Sequence, residues 1–86
     1  MSQSDFEAER HVMEEHLPER PSWDCGKCGE AWPCAIAKVN LSIEYLGSRS
    51  ALLLYLGIQH WVAFDDYAAS GAIPADLHER FLGWVR

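Results

Sequence analysis

The sequence predicts a small all-α fold, a three- to four-helix bundle interrupted by one irregular segment. Three observations predict it. Apolar residues recur at spacings of three and four through the second half of the chain, which is the period of a one-faced helix. Gly47 and Gly71 stand where helices stop, and Pro33 and Pro74 where they open. Residues 17–33 gather Pro18, Pro21 and Pro33 with Gly26 and Gly29, punctuation that neither a helix nor a long strand survives.

Eighty-six residues suggest one domain. We divide it into an acidic N-terminal helix over 1–16, a loop over 17–34 and a helical core over 34–86. A chain of this length buries only roughly 60–65% of its unfolded surface, so its core is thin and a covalent or metal staple is a common supplement. Hydrophobic residues make up 49% of the chain, with four Trp, three Tyr and three Phe, which is the composition of a folding protein.

Ser4 and Glu7 have the spacing of a capping box, so a first helix is expected from about Asp5, with Phe6, Met13 and Leu17 loosely on one face. The second helix is expected to open at Pro33, with Ile36, Val39, Ile43 and Leu46 forming its apolar stripe before Gly47. Ser48 or Ser50 then caps a longer helix reaching about Ala69. Its stretch Ala51–Leu56 is apolar all round, as a central helix would be. The last helix opens at Pro74 and buries Leu77, Phe81, Trp84 and Val85. Asp76 near its start and Arg86 at its end suit the helix dipole.

Net charge is −6, and residues 1–20 carry Asp5, Glu7, Glu9, Glu14, Glu15 and Glu19 against only Arg10 and Arg20. Nucleic-acid binders displace counterions with clustered Lys and Arg, and this chain has no such cluster, so no nucleic-acid partner is expected. The run Ala51–Phe64 is broken by Gln59 and His60 and is too short to span a bilayer, so no membrane role is expected. The first residues lack the basic and apolar regions of a signal peptide. Three cysteines, an odd number, do not form a complete disulfide framework. A reduced, cytoplasmic protein is the expectation.

All three cysteines stand close together in the run His16-Leu-Pro-Glu-Arg-Pro-Ser-Trp-Asp-Cys25-Gly-Lys-Cys28-Gly-Glu-Ala-Trp-Pro-Cys34. Two residues between Cys25 and Cys28 let one tight turn aim both sulfurs at one ion, as in a zinc knuckle. Gly29 permits the positive φ with which backbone amides approach those sulfurs. Cys34 follows Pro33 at the start of a helix, where unpaired amides favour a thiolate. His16 is the expected fourth ligand and His11 the reserve. Three thiolates and an imidazole suit Zn2+, and four protein ligands close the coordination shell.

The motif His16…Arg20-Pro-Ser-Trp-Asp-Cys25-x-x-Cys28-Gly-x-x-Trp-Pro-Cys34, with Pro74-Ala-Asp-Leu-His-Glu-Arg-Phe-Leu-x-Trp84 near the end, resembles a family of short actinobacterial proteins often labelled flavin reductases. That resemblance implies His16 as a ligand and, from the label, flavin-dependent reduction. The six glycines nevertheless form no phosphate-cradling loop after a strand. The Cys-x2-Cys-x5-Cys spacing is also similar to that of the WhiB-like iron–sulfur regulators, which implies an iron–sulfur cluster as the alternative cofactor and a redox switch as the alternative function. Those proteins use a further upstream cysteine, and only His16 or His11 could stand in its place here.

Other polar residues carry less. Asp65 and Asp66 follow His60, yet adjacent helical residues point about 100° apart, so a solvated helix end is expected rather than an acid–base pair. His78 is expected to be exposed, and Trp61 and Trp84 to be core. Trp23 and Trp32 flank the cysteines and either anchor a partner or shield the metal. With no catalytic constellation in view, the sequence favours a non-enzymatic role in protein–protein interaction, with regulation as one form of it.

Overall fold

The computed structural model describes residues 15–86. Two short strands, β1 (Pro18–Glu19) and β2 (Asp24–Cys25), are followed by helices α1 (Ala35–Glu44), α2 (Arg49–Ser70) and α3 (Leu77–Leu82). The helix expected near Asp5 and the reserve ligand His11 lie outside the described residues.

The all-α expectation is corrected by the pairing of β1 with β2, antiparallel with Pro18 opposite Cys25 and Glu19 opposite Asp24. Among the described residues the fold is helix-rich but mixed: three helices and a small sheet. Prolines do exclude a helix here, as the sequence indicated. Two residues are nonetheless enough for a ladder when the turn between them is closed by the Trp23 amide on Glu19 O at 2.6 Å. An isolated bridge from Asp24 to Ala31 extends the pairing on the other side.

Helix α1 starts later than expected. Cys34, not Pro33, borders it: Cys34 is the extended N-cap residue, and its carbonyl accepts the Lys38 amide at 2.9 Å. The face is also different. Ala37 and Leu41 are buried, while Ile36, Val39, Ile43 and Leu46 face solvent. Cys34 is turned into the loop cluster, and residues three and seven positions onward share its side of the helix. The helix phase therefore follows the cysteine rather than the larger apolar stripe.

Helix α2 is the central element, burying Leu52, Leu56 and Ala63. It ends at Gly71 with φ 95°, where the Gly71 and Ala72 amides return to Ala68 O and Tyr67 O. The short α3 packs Leu77 and Phe81 against it. Trp61, expected in the core, is 62% exposed, and Trp84 is half-buried. The core instead centres on Trp23, Trp32 and Phe81: both indoles meet the Phe81 ring at 5.7 Å, inclined at 64° and 61°. Among the described residues no helix is long and apolar enough to cross a membrane.

Candidate metal centre

His16 lies just before β1 and Cys25 ends β2, so the ladder that sets Pro18 opposite Cys25 carries the imidazole toward that thiol. The Gly26 amide on Leu17 O at 2.9 Å extends the same alignment. His16 Nδ1 lies 3.2 Å from Cys25 Sγ and 3.3 Å from Cys34 Sγ. Cys28 completes the group, and the ligand atoms of all four residues lie within 4.8 Å of one another. A tetrahedral ion with bonds of about 2.0 Å to nitrogen and 2.3 Å to sulfur has ligand–ligand edges of about 3.5–3.8 Å. The four residues named by the sequence are thus positioned to hold a metal ion.

The turn behaves as its glycine suggested. Gly29 has φ 78°, and its amide donates to Cys25 O at 2.9 Å, while the Cys25 amide reaches Glu30 O at 2.7 Å. The Lys27 amide points at Cys25 Sγ at 3.3 Å. Burial opposes ionisation of Cys25, but the amides of Cys28 and Lys27 and the neighbouring Cys28 and Cys34 thiols outweigh it, bringing this thiol down to about 7. Exposed Cys28 moves the other way. The Glu30 amide favours its thiolate, yet partial desolvation, the thiols of Cys25 and Cys34 and the Cys34 charge together raise it. Three thiolates at one point repel one another, and a cation removes that conflict.

The two tryptophans answer the question the sequence left open: both are buried, with 1% of their surface exposed, and they tie the loop down. Trp32 Nε1 donates to His16 O at 2.9 Å, fixing the backbone of the histidine ligand. Trp23 Nε1 donates to Asp66 Oδ2 at 2.7 Å, and Arg20 grips the same carboxylate through Nε at 2.8 Å and Nη2 at 3.0 Å. Arg20, then Trp23, hold the Asp66 carboxyl down at about 2. Trp23 has φ 62°, an unfavourable backbone region for a bulky residue. Its amide, carbonyl and indole nitrogen are all engaged in holding it there.

The structure thus separates the roles of Asp65 and Asp66. Asp66 anchors the loop, Asp65 is exposed, and His60 packs on Phe64, His78 and Phe81 instead. The residue that sequence reasoning missed is Arg80. Its Nε donates to Trp32 O at 2.8 Å, its Nη2 to Trp23 O at 2.9 Å and its Nη1 to Tyr67 Oη at 3.2 Å. One cation on α3 thus holds the backbone two residues before Cys25 and two before Cys34. Tyr67 adds a hydroxyl donated to Ser22 O at 2.8 Å. The available signal was an arginine beside Phe81 and three residues after Leu77, at the edge of a buried face. No protein-family model, curated protein or solved structure matches the chain.

Proposed function

We propose that the protein is a zinc-stabilised domain with a structural Cys3His site, formed by His16, Cys25, Cys28 and Cys34, that acts through protein–protein interaction. The observation that carries the metal reading is the convergence of these four ligand atoms within 4.8 Å. The donor set is borderline-soft, which suits zinc, and four protein ligands leave no open position for a substrate. Ligands this close suit a single ion, whereas a four-iron cluster spreads its ligands around a larger core. The site also sits where regular structure is least able to hold the chain, in a loop with only two-residue strands. The interaction reading is supported by large apolar side chains that face solvent on α1 and α2.

Elemental analysis and a visible spectrum of protein purified without chelator test the metal. About one zinc per chain and no colour are expected, whereas stoichiometric iron with a brown chromophore, or a yellow flavin, overturns the reading. Exposed Cys28 contributes little to the core, so Cys28→Ser isolates the metal term. Structural zinc can contribute on the order of 10 kcal/mol to folding, and the variant should lose cooperative melting. His16→Ala should weaken metal binding more than His11→Ala; the reverse order reassigns the fourth ligand.

A further inference from the structure

The solvent face of α2 is built the wrong way round for a surface helix. Leu52, Leu56 and Ala63 point into the core, and the opposite stripe is where polar residues belong. That stripe reads Ala51, Leu54, Ile58 and Trp61 at spacings of three, four and three, and its large members are 67%, 53% and 62% exposed. The spacing is that of a helix–helix seam. The residues beside it, Ser50, Tyr55, Gly57 and Val62, carry no charge, although the chain as a whole is at −6.

Two further observations fit a second copy of the same helix as its cover. Gly57 lies mid-helix, where glycine weakens a helix relative to alanine, yet a Cβ there would meet nothing within 4 Å. Nothing within the described chain requires the glycine, whereas a second backbone packed closely at this point would. The N-terminus of α2 also has no acidic residue in its first turn and no side-chain cap.

We propose that this face is a self-association surface on which a second copy of the chain packs antiparallel, about a two-fold axis beside Gly57 and Ile58. In that arrangement Leu54 meets the partner's Trp61, and Gly57 makes room for the partner's Ile58. Asp65, at the polar end of the stripe, reaches the uncapped first turn of the partner's helix, where a carboxylate is favoured. The contact is isologous, so it closes as a dimer. Leu54, Ile58 and Trp61, each more than half exposed, form a patch smaller than a standard interface, the scale of a weak, reversible contact, so association is looked for at micromolar to millimolar concentrations. The inference rests on the interaction reading above, names the partner for one face and is independent of which metal is bound.

Sedimentation equilibrium of the metal-replete protein across that concentration range tests it, with metal content measured on the same samples. The expected result is a mass rising from 9.7 kDa toward twice that value. Ile58→Glu changes an exposed side chain, so it should stay monomeric with unchanged helical circular dichroism. Gly57→Ala should melt higher than the parent, because the helix is better formed, and yet associate more weakly. A single 9.7 kDa species at every concentration overturns the proposal, and so does a dimer indifferent to both substitutions. A monomer carrying one zinc per chain defeats the dimer while leaving the metal reading intact. A metal-free protein that still dimerises through Ile58 supports the dimer and defeats the metal reading.

Discussion

Replacing Arg80 by methionine removes a cation that donates to two backbone carbonyls and a tyrosine hydroxyl while keeping most of the length of an apolar stem. The carbonyls belong to Trp23 and Trp32, whose indoles form the core with Phe81 and whose following residues lead to Cys25 and Cys34. A hydrogen bond from a charged donor contributes about 1.5–3 kcal/mol, and water replaces part of it at a half-buried site, so the net loss should be about 3 kcal/mol. For a domain of this size that lowers Tm by about 10–20 °C. The same loss reaches the metal. If ordering of the loop is coupled fully to binding, affinity falls by up to about a hundredfold. Thermal melts of the metal-replete protein and a chelator competition titration measure both quantities. Arg80→Lys keeps the charge but not the fork, and should recover only part of each. An Arg80→Met protein within about 0.5 kcal/mol of the parent, with unchanged metal affinity, would refute the idea that this side chain staples the loop.

Two further expectations follow from the anchor and the turn. Asp66 titrates at about 2 in the folded chain against an ordinary value of 3.8. Its depressed value means that its stabilising effect is present above the ordinary value and lost as pH falls toward 2. In the metal-replete protein above about pH 5, where the site keeps its ion, the stability gap between the parent and Asp66→Asn measured in urea should not depend on pH; a gap that changes with pH in that range contradicts the Arg20 and Trp23 contacts. Gly29→Ala forces a Cβ onto a residue at φ 78° and should cost about 1 kcal/mol. At Gly26 the new methyl meets the exposed Glu19 side chain, Oε2 at 3.0 Å and Cγ at 3.1 Å, which can turn away, so Gly26→Ala should cost less. Equal denaturation midpoints for the two variants would count against the turn geometry.

The metal ligands were legible because their chemistry is local. Cys25, Lys27, Cys28 and Gly29 form a turn whose φ and amide directions follow from residue type, and a thiolate cluster has few alternatives to a cation. Gly71 was legible for the same reason, since a left-handed helix end needs no information from elsewhere in the chain. The strands were not. A two-residue ladder has no periodicity to detect, and it forms where the intervening turn closes on itself through the Trp23 amide on Glu19 O.

The same division explains the helices. Periodicity identified α1 and its apolar stripe, but the stripe faces solvent, because Cys34 at the N-cap sets the rotation of the helix. Trp61 read as core by its neighbours and lies outside it. Asp66 read as a solvated helix end, yet it receives Arg20 and Trp23 from more than forty positions away. The position of Arg80 at the edge of a buried face did not reveal its partners, since two of them are backbone carbonyls, which every residue has. By itself the sequence determined which atoms could bind a metal and where the long central helix stops, since both depend on residue chemistry over a few positions; α1 ends at Glu44, short of Gly47, and α3 at Leu82, short of Arg86. Only the tertiary structure decided which faces are buried and which side chains hold the loop, because those outcomes depend on packing between segments whose contacts leave no local pattern.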